Sequence, residues 1–217
     1  MSKGKFIVIE GLDGSGKTTQ LHFIEKWIKD NLPDKTVIVT REPGGTDNPV
    51  GEQIREVILG NDMDDYTRVL LYAASRYEHS KKLKEWVDKG YIVVCDRYIY
   101  SSLAYQVSGD VMLHEVLEAN RYKDLIAPDL ILYLKISIDT YKERKLKRQQ
   151  ERDLDALERK SNEFFIKAMS NYDKFFDTVI CLKNVQSNCN TILREIDSNK
   201  SIEETSLQIE NALKEIF

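Results

Sequence analysis

The stretch Gly11-Leu12-Asp13-Gly14-Ser15-Gly16-Lys17-Thr18 decides the fold. It matches G-x-x-x-x-G-K-[ST] at every required position. It follows the apolar run Phe6-Ile7-Val8-Ile9 and opens a segment that reads as helix over about 17–31. Strand, glycine-rich turn and helix in that order build a cradle for phosphate. Glycines let consecutive backbone N–H groups turn inward where side chains would block them, and the helix start adds the positive end of its dipole. Lys17 is placed to reach the β- and γ-phosphates, and the Thr18 hydroxyl to ligate Mg²⁺. The expected ATP-binding segment therefore runs from Gly11 through Leu12, Asp13, Gly14, Ser15, Gly16, Lys17 and Thr18 to Thr19. Taken alone, the loop establishes only that a nucleoside triphosphate binds.

Outward from the loop, β-branched runs alternate with longer amphipathic stretches, the pattern of βαβ units. Strands are expected at 6–9, 36–39, 91–95, 130–134 and 191–196. Helices are expected at about 17–31, 51–59, 64–89, 111–126, 161–176 and 201–216, with a very polar segment at about 139–150. Residues 179–190 read as a strand-like or irregular connection. The fold class is α/β: three layers, with a mostly parallel, five-stranded sheet flanked by helices. No repeat, linker or low-complexity tract divides residues 1–217, so one domain is expected.

The bulk numbers exclude several classes. Lys plus Arg is 32 against Asp plus Glu 36, a formal charge of -4, which argues against a dedicated nucleic-acid binder. No run approaches the length of a membrane span, and no signal-peptide core precedes the first strand, so a cytoplasmic protein is expected. Cys95, Cys181 and Cys189 form no CxxC pair and are expected to be reduced thiols.

A second polar site follows Tyr91-Ile92-Val93-Val94-Cys95, an apolar run that ends in Asp96-Arg97-Tyr98. In a parallel sheet the carboxyl ends of the strands face the ligand crevice. Asp96 would then sit beside the phosphate loop, able to hold Mg²⁺ or its water. Arg97 could grip a phosphate with two parallel hydrogen bonds.

Asp96-Arg97-Tyr98 with Ser101-Ser102-Leu103-Ala104-Tyr105-Gln106 resembles the acceptor motif of thymidylate kinases. So do Thr40-Arg41-Glu42-Pro43-Gly44-Gly45-Thr46 and Leu70-Leu71-Tyr72-Ala73-Ala74-Ser75-Arg76. With the phosphate loop, these blocks are collinear from about residue 5 to 106. The resemblance implies the three-layer P-loop NTPase fold with a mobile lid at about 142–158. It implies Mg²⁺-dependent transfer of the γ-phosphate of ATP to dTMP, giving dTDP and ADP for dTTP biosynthesis, and a homodimer. It also implies roles by position. Arg55 and Arg97 bind the acceptor phosphate, Tyr72 stacks on thymine, Arg76 hydrogen-bonds the base, and Ser102 and Gln106 line the base edge. Asp13 holds the sugar 3′-hydroxyl or the metal shell.

The segment KERKLKRQQER at 142–152 is mostly a solvated helix face. In this family a transfer-assisting cation comes from the phosphate loop or from the lid. Position 14 is glycine, which points to the lid, with Arg148 and Arg152 as candidates beside Lys17, Asp96 and Arg97. A phosphate acceptor has a second pKa of about 6 and is already largely a dianion, so no general base is needed. His22, His79 and His114 accordingly require no catalytic role.

Two departures from the family stand out. Val107-Ser108-Gly109-Asp110 is shorter than the family's glycine-rich loop, and 179–190 has no counterpart, which leaves an adenine pocket near 197–200 unassigned. The rival readings are another nucleotide or deoxynucleoside kinase, a regulatory GTPase, and a nucleotide-binding scaffold. The GTPase reading requires N/T-K-x-D, and Asn199-Lys200-Ser201-Ile202 lacks the aspartate.

Overall fold

Side chains along Lys5–Glu10 (β1) alternate between two hydrophobic clusters: Phe6 and Val8 enter one, Ile7 and Ile9 the other. Ile92–Asp96 (β3) and Leu130–Lys135 (β4) divide in the same way, so the central sheet is covered on both faces. This period of two in an almost wholly apolar strand is what a buried parallel sheet demands. The computed structural model describes residues 3–151, 159–182 and 190–217, and only the backbone of 175 and 177–182.

The remaining strands are Val37–Arg41 (β2) and Ile192–Asp197 (β5). The order is β2-β3-β1-β4-β5 and every pairing is parallel. All five strands therefore deliver their carboxyl ends to one edge.

Lys17–Asn31 (α1) and Ile202–Lys214 (α8) cover one face through Leu21, Ile24, Ile28, Ile209, Ala212 and Leu213. Asp65–Asp88 (α3), Ile99–Gln106 (α4) and Asn162–Leu182 (α7) cover the other. Each fully buried aliphatic or aromatic side chain contributes about 1.5–3 kcal/mol. Pro49–Gly60 (α2), Leu113–Ala119 (α5), the 3₁₀ turn Tyr122–Asp124 and Ile138–Glu151 (α6) complete the described elements. No helix among the described residues is long and apolar enough to cross a membrane.

The five expected strands and most of the helices are present, with three corrections. The helix expected at 111–126 is α5 followed by a 3₁₀ turn. Asn120 ties its Nδ2 to Val116 O, and Arg121 adopts φ 47, which turns the chain off the helix axis. α4 was not anticipated, because its residues read as a binding motif rather than a periodic face. α7 continues to Leu182 where an irregular connection was expected, and 183–189 lie outside the described residues. Cys95 is a buried free thiol, its pKa pushed up first by burial. The side chains of Cys181 and Cys189 lie outside the described residues.

Candidate active site

α1 begins without a side-chain cap and with no acidic residue in its first turn; Gly16, at φ 94, occupies the cap position. Other helices are capped by side chains, among them α2 by Asn48, α3 by Asp64 and α8 by Ser201. Leaving the first amides of α1 unsatisfied costs stability and reserves them for an anion. Gly11 is held tightly below the loop, where an added Cβ would lie 2.6 Å from Leu134 O.

Lys17 is 7% exposed, and its Nζ donates to Gly11 O and Leu12 O at 3.1 Å. The ammonium thus spans the loop that it would later share with phosphate. Burial is the main cause of its lowered pKa, and the Arg97 charge adds to it, while Asp96, Asp13 and Glu10 oppose. Ser15 Oγ is buried with no partner among the described residues. Leu12 turns into the core. Asp13, Gly14, Gly16, Lys17, Thr18 and Thr19 line a cleft of about 650 Å³.

At the end of β3, Arg97 adopts φ 69, a left-handed conformation that costs a non-glycine residue of order 1 kcal/mol or more. That backbone turn sends its guanidinium across to β1. Nη1 donates to Gly11 O at 3.0 Å and to Ser101 Oγ at 3.0 Å, and Nη2 donates to Asp13 Oδ1 at 2.6 Å. The guanidinium also lies 5.2 Å from the Tyr105 ring centroid. Beneath it, Glu10 accepts from Tyr98 N, Ser101 N, Ser101 Oγ and Tyr172 OH at 2.7–3.1 Å. Burial raises the Glu10 pKa against those hydrogen bonds and the Arg97 charge. Glu10 and Tyr172 escape sequence reasoning, since the first reads as a strand end and the second as a core aromatic.

Asp96 has one buried carboxylate oxygen, Oδ1, with no partner among the described residues, and it lines the same cleft as Thr18. An orphaned carboxylate oxygen beside a hydroxyl and a phosphate cradle fits a Mg²⁺ site, in which the protein supplies one or two ligands and the substrate phosphates supply more.

The loop after β2 is braced by a buried network. Thr40 Oγ1 meets His79 Nε2 at 3.0 Å, and His79 Nδ1 meets Glu42 Oε1 at 3.2 Å. Glu42 Oε2 in turn accepts from Arg76 Nε at 2.5 Å. Arg76 also donates to Asn120 Oδ1 and Tyr98 O. It is 2% exposed. Arg76 is not among the residues that line the cleft around the phosphate loop or the cavity beside Tyr72. Arg55 does reach the cleft, donating to Pro43 O at 3.2 Å.

A second cavity, more apolar, opens beside the first. Tyr72, Ser102 and Gln106 line it together, as expected, and Arg97 lines both cavities. Arg68, Tyr105 and Phe164 share that wall and were not anticipated. No local motif marks Arg68 or Phe164, and Tyr105 stands inside the quoted acceptor motif with no role assigned to it.

On the lid side, Arg148 lines the cleft over Gly14, where an added Cβ would collide with Arg148 Nη1. Glycine at position 14 is thus what admits the arginine. Arg144, one turn earlier, bridges Gly14 O at 2.9 Å and Ser198 O at 2.8 Å. Sequence reading passed over it as one charge in a basic run. Arg152 lies outside the described residues. Beyond β5, Asp197 and Asn199 line a further pocket with Ser137 and Gln208, and Ser198 Oγ donates to Ser15 O at 2.5 Å. This ties the region where an adenine pocket was sought to the phosphate loop.

A sequence model of a family described as thymidylate kinase matches residues 9–216. The thymidylate kinase of Clostridium novyi (strain NT) is 40% identical over 183 residues, 82% of this chain and 87% of the relative. That of Limosilactobacillus fermentum (strain NBRC 3956 / LMG 18251) is 43% identical over 143 residues, 63% of this chain and 65% of the relative. That of Prochlorococcus marinus (strain NATL1A) is 40% identical over 173 residues, 75% of this chain and 79% of the relative.

Proposed function

The chain belongs to the thymidylate kinase family, and on that premise we propose how its residues transfer the γ-phosphoryl group of ATP to dTMP. The observation that carries the assignment of residues is that Arg97 lines both cavities at once. One cavity is built around the phosphate loop and the other around Tyr72, so a donor phosphate and an acceptor phosphate would meet at one guanidinium.

Gly11 to Thr19 hold the donor phosphates through backbone N–H groups and Lys17. Arg55 and Arg97 grip the dTMP phosphate, and Tyr72 offers the thymine ring a flat face, with Ser102 and Gln106 at its edge. Asp13 fixes the Arg97 fork and faces the acceptor sugar. Arg76 braces the loop after β2 through Glu42. Mg²⁺ would be held by Thr18 and Asp96, and it would neutralise charge on the donor phosphates. Transfer then needs positioning and charge neutralisation rather than a base, because the acceptor phosphate is largely a dianion above about pH 6. Lys17 and Arg148 face the equatorial oxygens where transition-state charge collects.

One sheet shared by both hydrophobic clusters supports reading 1–217 as a single kinase domain with α6 at its lid. Val50 and Val57 on α2, with Tyr66, Leu70 and Tyr77 on α3, are exposed large apolar side chains, and they support a homodimer built on these helices. A cytoplasmic location follows the same reading.

A coupled ADP assay with dTMP, dUMP, dGMP and thymidine as acceptors tests the assignment. Turnover with dTMP above the other three supports it. Turnover of thymidine in place of dTMP would overturn it, since a nucleoside has no phosphate for Arg55 and Arg97.

A further inference from the structure

Three successive residues at the end of β1 grip one short piece of chain. Ile9 O accepts from Arg97 N at 2.9 Å, and Gly11 O accepts from Arg97 Nη1 at 3.0 Å. Between them, Glu10 Oε1 accepts from Tyr98 N at 2.8 Å and from Ser101 N at 3.1 Å. Glu10 is 0% exposed. α4 has neither a side-chain cap of its own nor an acidic residue in its first turn. The amides that open a helix need acceptors, and a helix capped for its own sake favours serine, threonine, aspartate or asparagine at the cap position. Here that position is Tyr98, and the cap comes from a strand residue 91 positions away from Ser101.

The second carboxylate oxygen reaches the Arg97 guanidinium through one hydroxyl. Ser101 Oγ donates to Glu10 Oε2 at 2.7 Å, which leaves its lone pairs to accept from Arg97 Nη1 at 3.0 Å. Tyr172 OH donates to the same carboxylate oxygen at 2.8 Å. Four donors therefore converge on Glu10, whereas an amide of the same size accepts at only one of its two polar atoms. Burying a carboxylate is costly, and a helix cap alone does not require one. What the carboxylate adds is a hold on α4 and on Arg97 at once, from the residue that runs directly into the phosphate loop.

We propose that Glu10 is a positioning residue for phosphoryl transfer, setting α4 and, through Ser101, the Arg97 guanidinium at a fixed distance from the phosphate loop. Ser102 and Gln106 ride on the same helix, so one carboxylate places both the phosphate grip and part of the base wall. Glu10 itself lines neither cavity. A misplacement of about 1 Å between reacting groups costs on the order of a hundredfold in rate, so the role is read in the rate of the bound complex. The inference rests on the acceptor site proposed above and deepens it.

The test is Glu10→Gln, assayed by single-turnover transfer at saturating ATP and dTMP and by calorimetry for each nucleotide. Transfer should slow by about tenfold to a hundredfold, with ATP affinity within about threefold of wild type. Ser101→Ala, which keeps both backbone bonds to Glu10, should lose a similar factor. The double variant should lose no more than Glu10→Gln alone, because the two side chains act along one contact. A lowered melting temperature with an unchanged single-turnover rate would make Glu10 a structural cap only and overturn the proposal. Losses that multiply in the double variant, or ATP affinity lost as far as the rate, would overturn it too. If Glu10→Gln does not melt cooperatively, Ser101→Ala is read alone, and an unchanged rate there overturns the proposal. Arg97→Ala, measured beside these, tests the acceptor site separately. Affinity for dTMP kept in Arg97→Ala would overturn that site, whereas affinity lost there with Glu10→Gln at the wild-type rate overturns only the role of Glu10.

Discussion

Arg97 Nη2 donates to Asp13 Oδ1 at 2.6 Å, closing a contact between residues 84 apart in sequence. One partner belongs to the phosphate loop and the other to the end of β3, so the pair fixes the two halves of the site against each other. Burial alone would raise the Asp13 pKa, but the charges of Arg97 and Lys17 outweigh it and hold the carboxyl down to about 2. A carboxylate depressed on folding adds stability above its unfolded pKa of about 3.9, and that stability is lost as pH falls through the folded value. Between about pH 5 and about pH 2, the ligand-free wild type should therefore lose about 1–2 kcal/mol more stability than Asp13→Asn. Urea titrations at the two pH values measure it, and equal losses would remove the electrostatic account of the pair.

Lys17→Met should lower kcat at least about a hundredfold with every acceptor tried, because Lys17 serves the donor. Steady-state rates across the acceptor panel check this. A loss confined to one acceptor would place Lys17 at the wrong substrate.

For Tyr72→Ala the KM for dTMP should rise about tenfold while kcat holds, since stacking aids ground and transition states alike. An unchanged KM would reduce Tyr72 to a core residue.

The lid prediction separates two neighbouring arginines. Arg148→Ala should lower kcat by about a hundredfold or more at unchanged KM for dTMP, as expected for a cation serving the transition state. Arg144→Ala, which frees Gly14 O and Ser198 O, should instead raise the KM for ATP. Single-turnover rates and ATP titrations on both variants test the division. Matching effects from the two would mean that neither role has been identified correctly.

The phosphate loop and the strands around it were legible because their signals are local: glycine spacing, a following helix, and apolar runs with a period of two. Arg97 as a site residue was legible too, but its posture was not. Its φ of 69 and its grip on Gly11 and Asp13 depend on β1 lying beside β3, a pairing that no short window contains. Arg76 shows the same limit from the other side. Helical spacing places it one turn from Tyr72, yet Glu42, 34 residues away, holds it out of the cavity. Arg68 carries no motif, and only the fold reveals that its Nε and Nη2 are buried without a partner among the described residues. The basic run at 142–152 hid Arg144 for a related reason, since six like charges in eleven residues do not indicate which one faces the loop.

The shared guanidinium is tested most directly by Arg97→Ala, assayed for transfer and, by calorimetry, for ATP and dTMP binding separately. Transfer should fall at least about a thousandfold and dTMP affinity at least about tenfold, with ATP affinity within about threefold of wild type. Loss of ATP affinity as large as the loss for dTMP, or dTMP binding left intact, would contradict the account.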